Sequence, residues 1–189
     1  MIATLQMIDD HILMFVQEHL RVEFLTPLVT FISHLGDAGL FWIVFALVLT
    51  CIPKTRKYGA LALSSLLFCF LINNVALKNL VARPRPYTRL PDLIMLMKCP
   101  ADYSFPSGHS CASFAVASSL MWTMGKQWNK VKIPAIILAT MIALSRIYVG
   151  VHYPTDVLVG TLIGIFGSLL ICRLLDKPYD KLENRLKQR

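Results

Sequence analysis

The chain has 189 residues, 56% hydrophobic and only 16% charged, with a formal net charge of +8 and a mean hydropathy of +0.58. Soluble domains carry about 25% charged residues, so there is too little polar material here to coat a soluble globule. A soluble enzyme, a disordered chain and a DNA-binding domain are excluded despite the basic charge, and a protein that uses lipid as its solvent is expected.

The opening MIATLQMIDD lacks the basic start of a signal peptide, so insertion must rely on internal spans. From His11 the sequence turns amphipathic, with Glu18, Arg21 and Glu23 among Ile12, Leu13, Phe15, Val16 and Leu20. Such a stretch can lie in the membrane interface. Phe24 to Ile52 is apolar except at His34-Leu35-Gly36-Asp37. It is long for one span and short for two, and it predicts two helices joined by a tight turn at Gly36-Asp37. Tyr58 to Leu77 is an uncharged run of the length a membrane helix needs. Ser110 to Met124, Ile133 to Leu144 and Val157 to Cys172 are shorter, and polar residues at their ends complete them. The expected fold is an all-α polytopic membrane bundle of six transmembrane helices with an N-terminal amphipathic segment, five spans being the alternative. Length gives about one domain, so residues 1–189 read as a single integral-membrane unit.

The loops set the orientation. Lys54, Arg56 and Lys57, then Lys126, Lys130 and Lys132, then Arg173, Lys177, Lys181, Arg185, Lys187 and Arg189 follow alternate spans. Basic loops mark the cytoplasmic side, which puts the C-terminus there. Lys78, Arg83, Arg85, Arg89, Lys98 and Arg146 fall on the opposite side, against that rule. Ionisable residues at membrane depth are costly and commonly functional. The five cysteines, Cys51, Cys69, Cys99, Cys111 and Cys172, form no CxxC and are odd in number, which argues against a disulfide framework or a zinc site. Gly160, Gly164 and Gly167 in the last span predict close helix packing within the bundle.

Three polar clusters share the outer ends of the spans: Lys78 to Pro86, Pro106-Ser107-Gly108-His109, and Ser145-Arg146 through His152 to Asp156. Lys78, Arg85 and Arg146 supply cations, and arginine can grip phosphate with a bidentate fork. Ser107-Gly108 begins a helix, whose free N–H groups favour an anion. Asp156, four residues after His152, can fix the imidazole tautomer, leaving the other ring nitrogen to attack phosphorus. His109 can then protonate the leaving oxygen and later activate water. Taken singly, each is more simply a cap, a turn or a basic flank. Their convergence on one face is what argues for chemistry.

These clusters resemble the signature of the type 2 phosphatidic acid phosphatase superfamily, Lys-x6-Arg-Pro, Pro-Ser-Gly-His and Ser-Arg-x5-His-x3-Asp, with no departure across residues 78–156. The family includes soluble vanadium haloperoxidases, but the spans here point to its lipid-phosphatase branch. The resemblance implies that Lys78, Arg85, Ser107, Gly108 and Arg146 bind the phosphoryl group. It also implies that His152 is the nucleophile, Asp156 its partner and His109 the acid. No metal or other cofactor is implied. Arg83 falls inside the variable x6 stretch and receives only a supporting role. Asn74, Asn79, Tyr148 and Tyr153 are substrate-contact candidates without motif support.

The expected activity is hydrolysis of a membrane lipid phosphate or diphosphate through a phosphohistidine, with undecaprenyl diphosphate leading. Phosphatidylglycerophosphate and phosphatidic acid are alternatives, the more so because Gly108 stands where the diphosphatase branch often has Asp. Phosphotransfer to a lipid hydroxyl would use the same residues, and an anion transporter would leave the histidines unexplained. The expected partners are the lipid substrate and the bilayer, with no nucleic acid.

Overall fold

The structure, a computed structural model, describes residues 2–98 and 100–187, and the side chains of 4–98 and 100–182. All regular structure among these residues is helical. Helix α1 (Ile2–Phe15) continues through a wide turn at Val16–Leu20, and α2 is Thr26–Leu35. After a 3-10 turn at Asp37–Gly39 comes α3 (Leu40–Cys51). Helix α4 (Arg56–Phe70) runs through a π-helical stretch, Leu71–Leu77, into α5 (Lys78–Val81). A long loop leads to α6 (Gly108–Thr123), followed by α7 (Asn129–Tyr148) and α8 (Pro154–Lys187).

Helix α6 is the axis of the bundle. It is rich in small residues, and Ser113, Ala115, Val116, Ala117, Ser119 and Leu120 are fully buried. Small side chains let neighbouring backbones approach where lipid offers no hydrophobic drive to association. Helix α8 uses this directly: a methyl on Gly160 would lie 2.4 Å from the Ser107 carbonyl oxygen, and one on Gly164 would lie 2.6 Å from that of Cys111. The glycine spacing therefore packs α8 onto α6, as its pattern predicts. Trp42 of α3 closes another side, its indole donating to Ser113 Oγ at 2.8 Å. Cys51, Cys69, Cys111 and Cys172 are free thiols; Cys99 lies outside the described residues.

Among the described residues, three helical stretches are long and apolar enough to cross a membrane: Arg56–Thr88, Lys126–Tyr148 and Pro154–Leu182. Thr26–Leu35 and Asp37–Cys51 qualify only together, as a pair bent by 45°. The tight reversal expected at Gly36-Asp37 is not formed. Ala38 and Gly39 adopt left-handed conformations, with φ of 52° and 67°, which break the helix, but the chain does not turn back. The Thr26 hydroxyl meets that of Tyr148 at 3.0 Å. Further on, Gly36 abuts Ile142, and Phe45 lines a groove with Val131. Helices α2 and α3 thus run in one course along α7.

The residues before Thr26 bond to one end of the bundle. Asp9 accepts from the Thr155 N–H at 3.0 Å, Gln17 donates to the Asp92 carbonyl at 3.0 Å, and Arg21 donates to the carbonyls of Tyr148 and Ile94 at 2.8 and 2.6 Å. At the other end Lys57 bridges Asp176 and Asp180 at 2.9 and 2.7 Å, and Lys132 donates to the Met124 carbonyl. The motif clusters and these basic clusters therefore occupy opposite ends.

Candidate active site

The loop ends of α5, α6, α7 and α8 converge on a cavity of about 1090 Å³. Lys78, Arg85, Gly108, His109, Arg146 and His152 all line it. The π-helical stretch before Lys78 turns Asn74 onto the same wall, and π-type widenings are frequent at functional sites. Ile43, Leu63, Leu66, Leu67 and Phe70 form the apolar side, between α3 and α4.

His152 sits in the short connection between α7 and α8 and is buried. Its Nδ1 lies 3.5 Å from Asp156 Oδ2. The same carboxylate accepts from the Tyr153 N–H at 2.9 Å and from the Ser104 hydroxyl. With a carboxylate on Nδ1, the ring's lone pair falls on Nε2. Arg85 Nη1 is 3.4 Å from that Nε2 and also donates to the Val151 carbonyl at 2.8 Å. Burial drives the imidazole toward its neutral form, and Arg85 and Arg146 reinforce it against the opposing pull of Asp156, leaving a pKa of about 3. The ring is therefore unprotonated at neutral pH.

The three cations are engaged by a single loop. Asp102 accepts from Lys78 at 2.6 Å and from Arg85 Nη2 at 2.5 Å. Burial alone would raise this carboxyl, but Lys78 and Arg85 outweigh it and hold it at about 2. Arg146 Nη1 donates to Ser33 Oγ at 2.6 Å and meets the Met97 sulfur at 3.4 Å. Its Nε finds no hydrogen-bond partner among the described residues. A buried guanidinium with a spare donor is suited to an incoming phosphoryl oxygen.

His109, one residue into α6, places Nε2 2.9 Å from Asp37 Oδ1, and Asp37 Oδ2 is 2.7 Å from His34 Nδ1. Asp37, which the sequence marks only as part of a turn, lies in position to orient the second histidine. Asp102 and Ser104 stand in the loop between α5 and α6. Each is an isolated polar residue with no partner at a recognisable spacing, so pattern alone could not select it.

Two expected site residues lie behind the wall. Ser107 is fully buried and caps α6, its Oγ accepting from the Ser110 N–H at 3.4 Å while its own N–H donates to the Asp156 carbonyl at 3.0 Å. Asp156, also fully buried, backs His152. Of the residues without motif support, only Asn74 reaches the cavity. Asn79 donates to the Val75 carbonyl, Tyr148 holds Val22 and Thr26, and Tyr153 lies beneath the Arg83 guanidinium at 3.9 Å.

Comparison with known proteins gives the same picture. The family profile of the PAP2 superfamily matches residues 40–180. The undecaprenyl-diphosphatase of Sulfolobus acidocaldarius is 33% identical over 169 residues, covering 88% of this chain and 79% of the relative. The crystal structure of the transmembrane PAP2-type phosphatidylglycerolphosphate phosphatase of Bacillus subtilis superposes with a TM-score of 0.73 at 31% identity, covering 92% of this chain and 87% of that one. That of Aquifex aeolicus LpxE gives 0.73 at 26% identity, covering 86% and 93%.

Proposed function

The chain belongs to the PAP2 superfamily and is an integral-membrane lipid phosphatase; from that premise we propose that it hydrolyses undecaprenyl diphosphate through a phosphohistidine on His152. The observation that carries this reading is the cavity's two-sided character. Three cations and two imidazoles stand on one side, while Leu67 and Phe70 on the other are 61% and 50% exposed on the bundle surface. A diphosphate head can sit among the cations while its prenyl tail leaves between α3 and α4 into lipid. The 33% identity to an undecaprenyl-diphosphatase favours that head group.

Lys78, Arg85, Arg146 and the Gly108 backbone hold the terminal phosphoryl oxygens, and their charge stabilises the transition state. His152 Nε2 attacks the terminal phosphorus. The bond to the bridging oxygen breaks, and that oxygen takes a proton from His109, releasing the lipid monophosphate. Water then attacks the phosphohistidine, giving its proton to His109 and freeing inorganic phosphate. Ser107 serves by fixing the start of α6.

The basic end of the bundle is cytoplasmic by the positive-inside rule, so the site faces outward and the C-terminus inward. The course of α2 and α3 along α7 favours five crossings, the bent α2–α3 pair with α4, α6, α7 and α8, in place of six. Helix α1 then lies across the outer face, and residues 1–189 act as one domain.

The 31% identity to a phosphatidylglycerolphosphate phosphatase supports a second reading, in which the head group is a glycerolipid monophosphate. Phosphate release by purified protein in detergent separates the two. Undecaprenyl diphosphate and phosphatidylglycerophosphate are supplied at matched concentration, with His152→Ala as the blank. Preference for the diphosphate supports the first reading, and preference for the glycerolipid replaces it with the second.

A further inference from the structure

Helix α1 precedes the stretch matched by the family profile, and most of its large side chains face outward. Leu5, Met7, Ile8, Ile12 and Phe15 are all at least 40% exposed. Asp9 and Leu13 are buried, each at 1%. Leu13 is apolar, but burying a carboxylate is costly unless it is paired. Asp9 is paired twice. It accepts from Arg83 Nη2 at 2.7 Å, and it takes both the N–H and the hydroxyl of Thr155, at 3.0 and 2.5 Å. Thr155 stands in the first turn of α8, beside Asp156. Arg83 closes the circuit: its Nη1 donates to Asp156 Oδ1 at 2.6 Å and to Thr155 Oγ1 at 2.8 Å, and Gln6 accepts from Nη2 at 2.7 Å.

We propose that Arg83 and Asp9 are positioning residues for the nucleophile, joining helix α1 to His152 through Asp156. The inference rests on His152 being the attacking group. Arg83 occupies Asp156 Oδ1, which directs Oδ2 toward His152 Nδ1. Alone, Arg83 would neutralise Asp156 and weaken its support of the positive charge that His152 gains as it attacks. Asp9 offsets Arg83, so the three charges sum to one negative charge behind the imidazole. Thr155, Gln6 and the Tyr153 ring complete the contacts of Arg83, and Ser104 and the Tyr153 N–H satisfy the remaining side of Asp156. Arg85 and Arg146 face His152 from the cavity side and are common to every variant below.

The two charges act on His152 in opposite senses, which gives a signature that mere loss of structure does not. The test measures kcat, KM and the pH profile of kcat with undecaprenyl diphosphate for Asp9→Asn, Arg83→Gln and Arg83→Lys, with His152→Ala as control. Expected are a tenfold or greater fall in kcat for Asp9→Asn and Arg83→Gln, with KM within about twofold of wild type. The acid limb should move to lower pH in Asp9→Asn and to higher pH in Arg83→Gln. Arg83→Lys, which keeps the charge and loses the fork, should recover part of kcat and is the variant to read if Arg83→Gln does not fold. Wild-type kcat in Asp9→Asn and Arg83→Lys, or acid limbs that stay in place, would overturn the inference. An inactive His152→Ala beside unaffected variants discards the positioning role alone, whereas an active His152→Ala discards the underlying mechanism.

Discussion

The Asp102 carboxylate lies 2.6 Å from the Lys78 ammonium, inside the cationic cradle that a phosphoryl group would enter. The same carboxylate takes Arg85, and Met97 of the same loop touches Arg146. The loop between α5 and α6 therefore presents an internal competitor for the substrate's anion. With its pKa near 2, Asp102 stays ionised at every working pH and does not yield by protonation.

Removing that competitor should tighten anion binding. Asp102→Asn is expected to strengthen inhibition by inorganic phosphate about tenfold, read as Ki in a phosphatase assay. An unchanged Ki would show that Asp102 does not contend for the cradle.

The two histidines should fail differently. His152→Ala is expected to abolish turnover, while His109→Ala should slow phosphoenzyme formation by about 10²–10⁴-fold, the usual contribution of a general acid. Asp37→Ala should resemble a milder His109→Ala, since it orients that ring through the 2.9 Å contact. An aryl phosphate, whose leaving group needs no proton, should restore most of the lost rate in both. Rapid-quench measurement of labelled enzyme checks this, and equal defects with both substrates would remove the acid role.

His152 also couples folding to pH. Its pKa is about 3 in the folded protein, against about 6.5 for an unfolded chain. Below pH 6.5 the unfolded chain binds the extra proton and the folded one resists it. The stability carried by the neutral ring is thus present above pH 6.5 and is lost progressively as pH falls toward 3. The Tm in detergent should therefore drop between pH 7 and pH 4, and His152→Gln should flatten that slope. A parallel slope in the variant would place the acid sensitivity elsewhere.

Packing between α6 and α8 is equally open to test. Gly160→Ala would press a methyl onto the backbone that carries Ser107. Overpacking of this kind costs about 1–3 kcal/mol, and it should lower both Tm and activity. Gly125→Ala is the control, because the nearest neighbours of its methyl are atoms of the flexible Gln127 side chain.

Much of the candidate site was legible because the proposed chemistry would demand particular residues at fixed spacings. Lys78, Arg85, Gly108, His109, Arg146 and His152 meet at one cavity, with Asp156 behind His152. The supporting acids were not legible. Asp9, Asp37 and Asp102 come from three distant segments, and each reads as an ordinary solvated carboxylate until the fold gives it a partner. Ser-Gly at a helix start suggests a phosphate ligand at Ser107, and the fold shows its hydroxyl bonded to Ser110 in the first turn of α6. The span between Phe24 and Ile52 misled for a related reason. Gly36-Asp37 carries the residues of a tight turn, and only the 45° bend, the approach of Gly36 to Ile142 and the groove shared by Phe45 and Val131 show that the chain bends there and continues.

The most direct test of the central claim is to trap the enzyme with undecaprenyl diphosphate labelled in its terminal phosphate, in the presence of EDTA. The expected result is an acid-labile, alkali-stable label on His152, formed at undiminished rate without divalent metal and absent from His152→Ala. Label on another residue, or turnover that EDTA abolishes and Mg²⁺ restores, would contradict it.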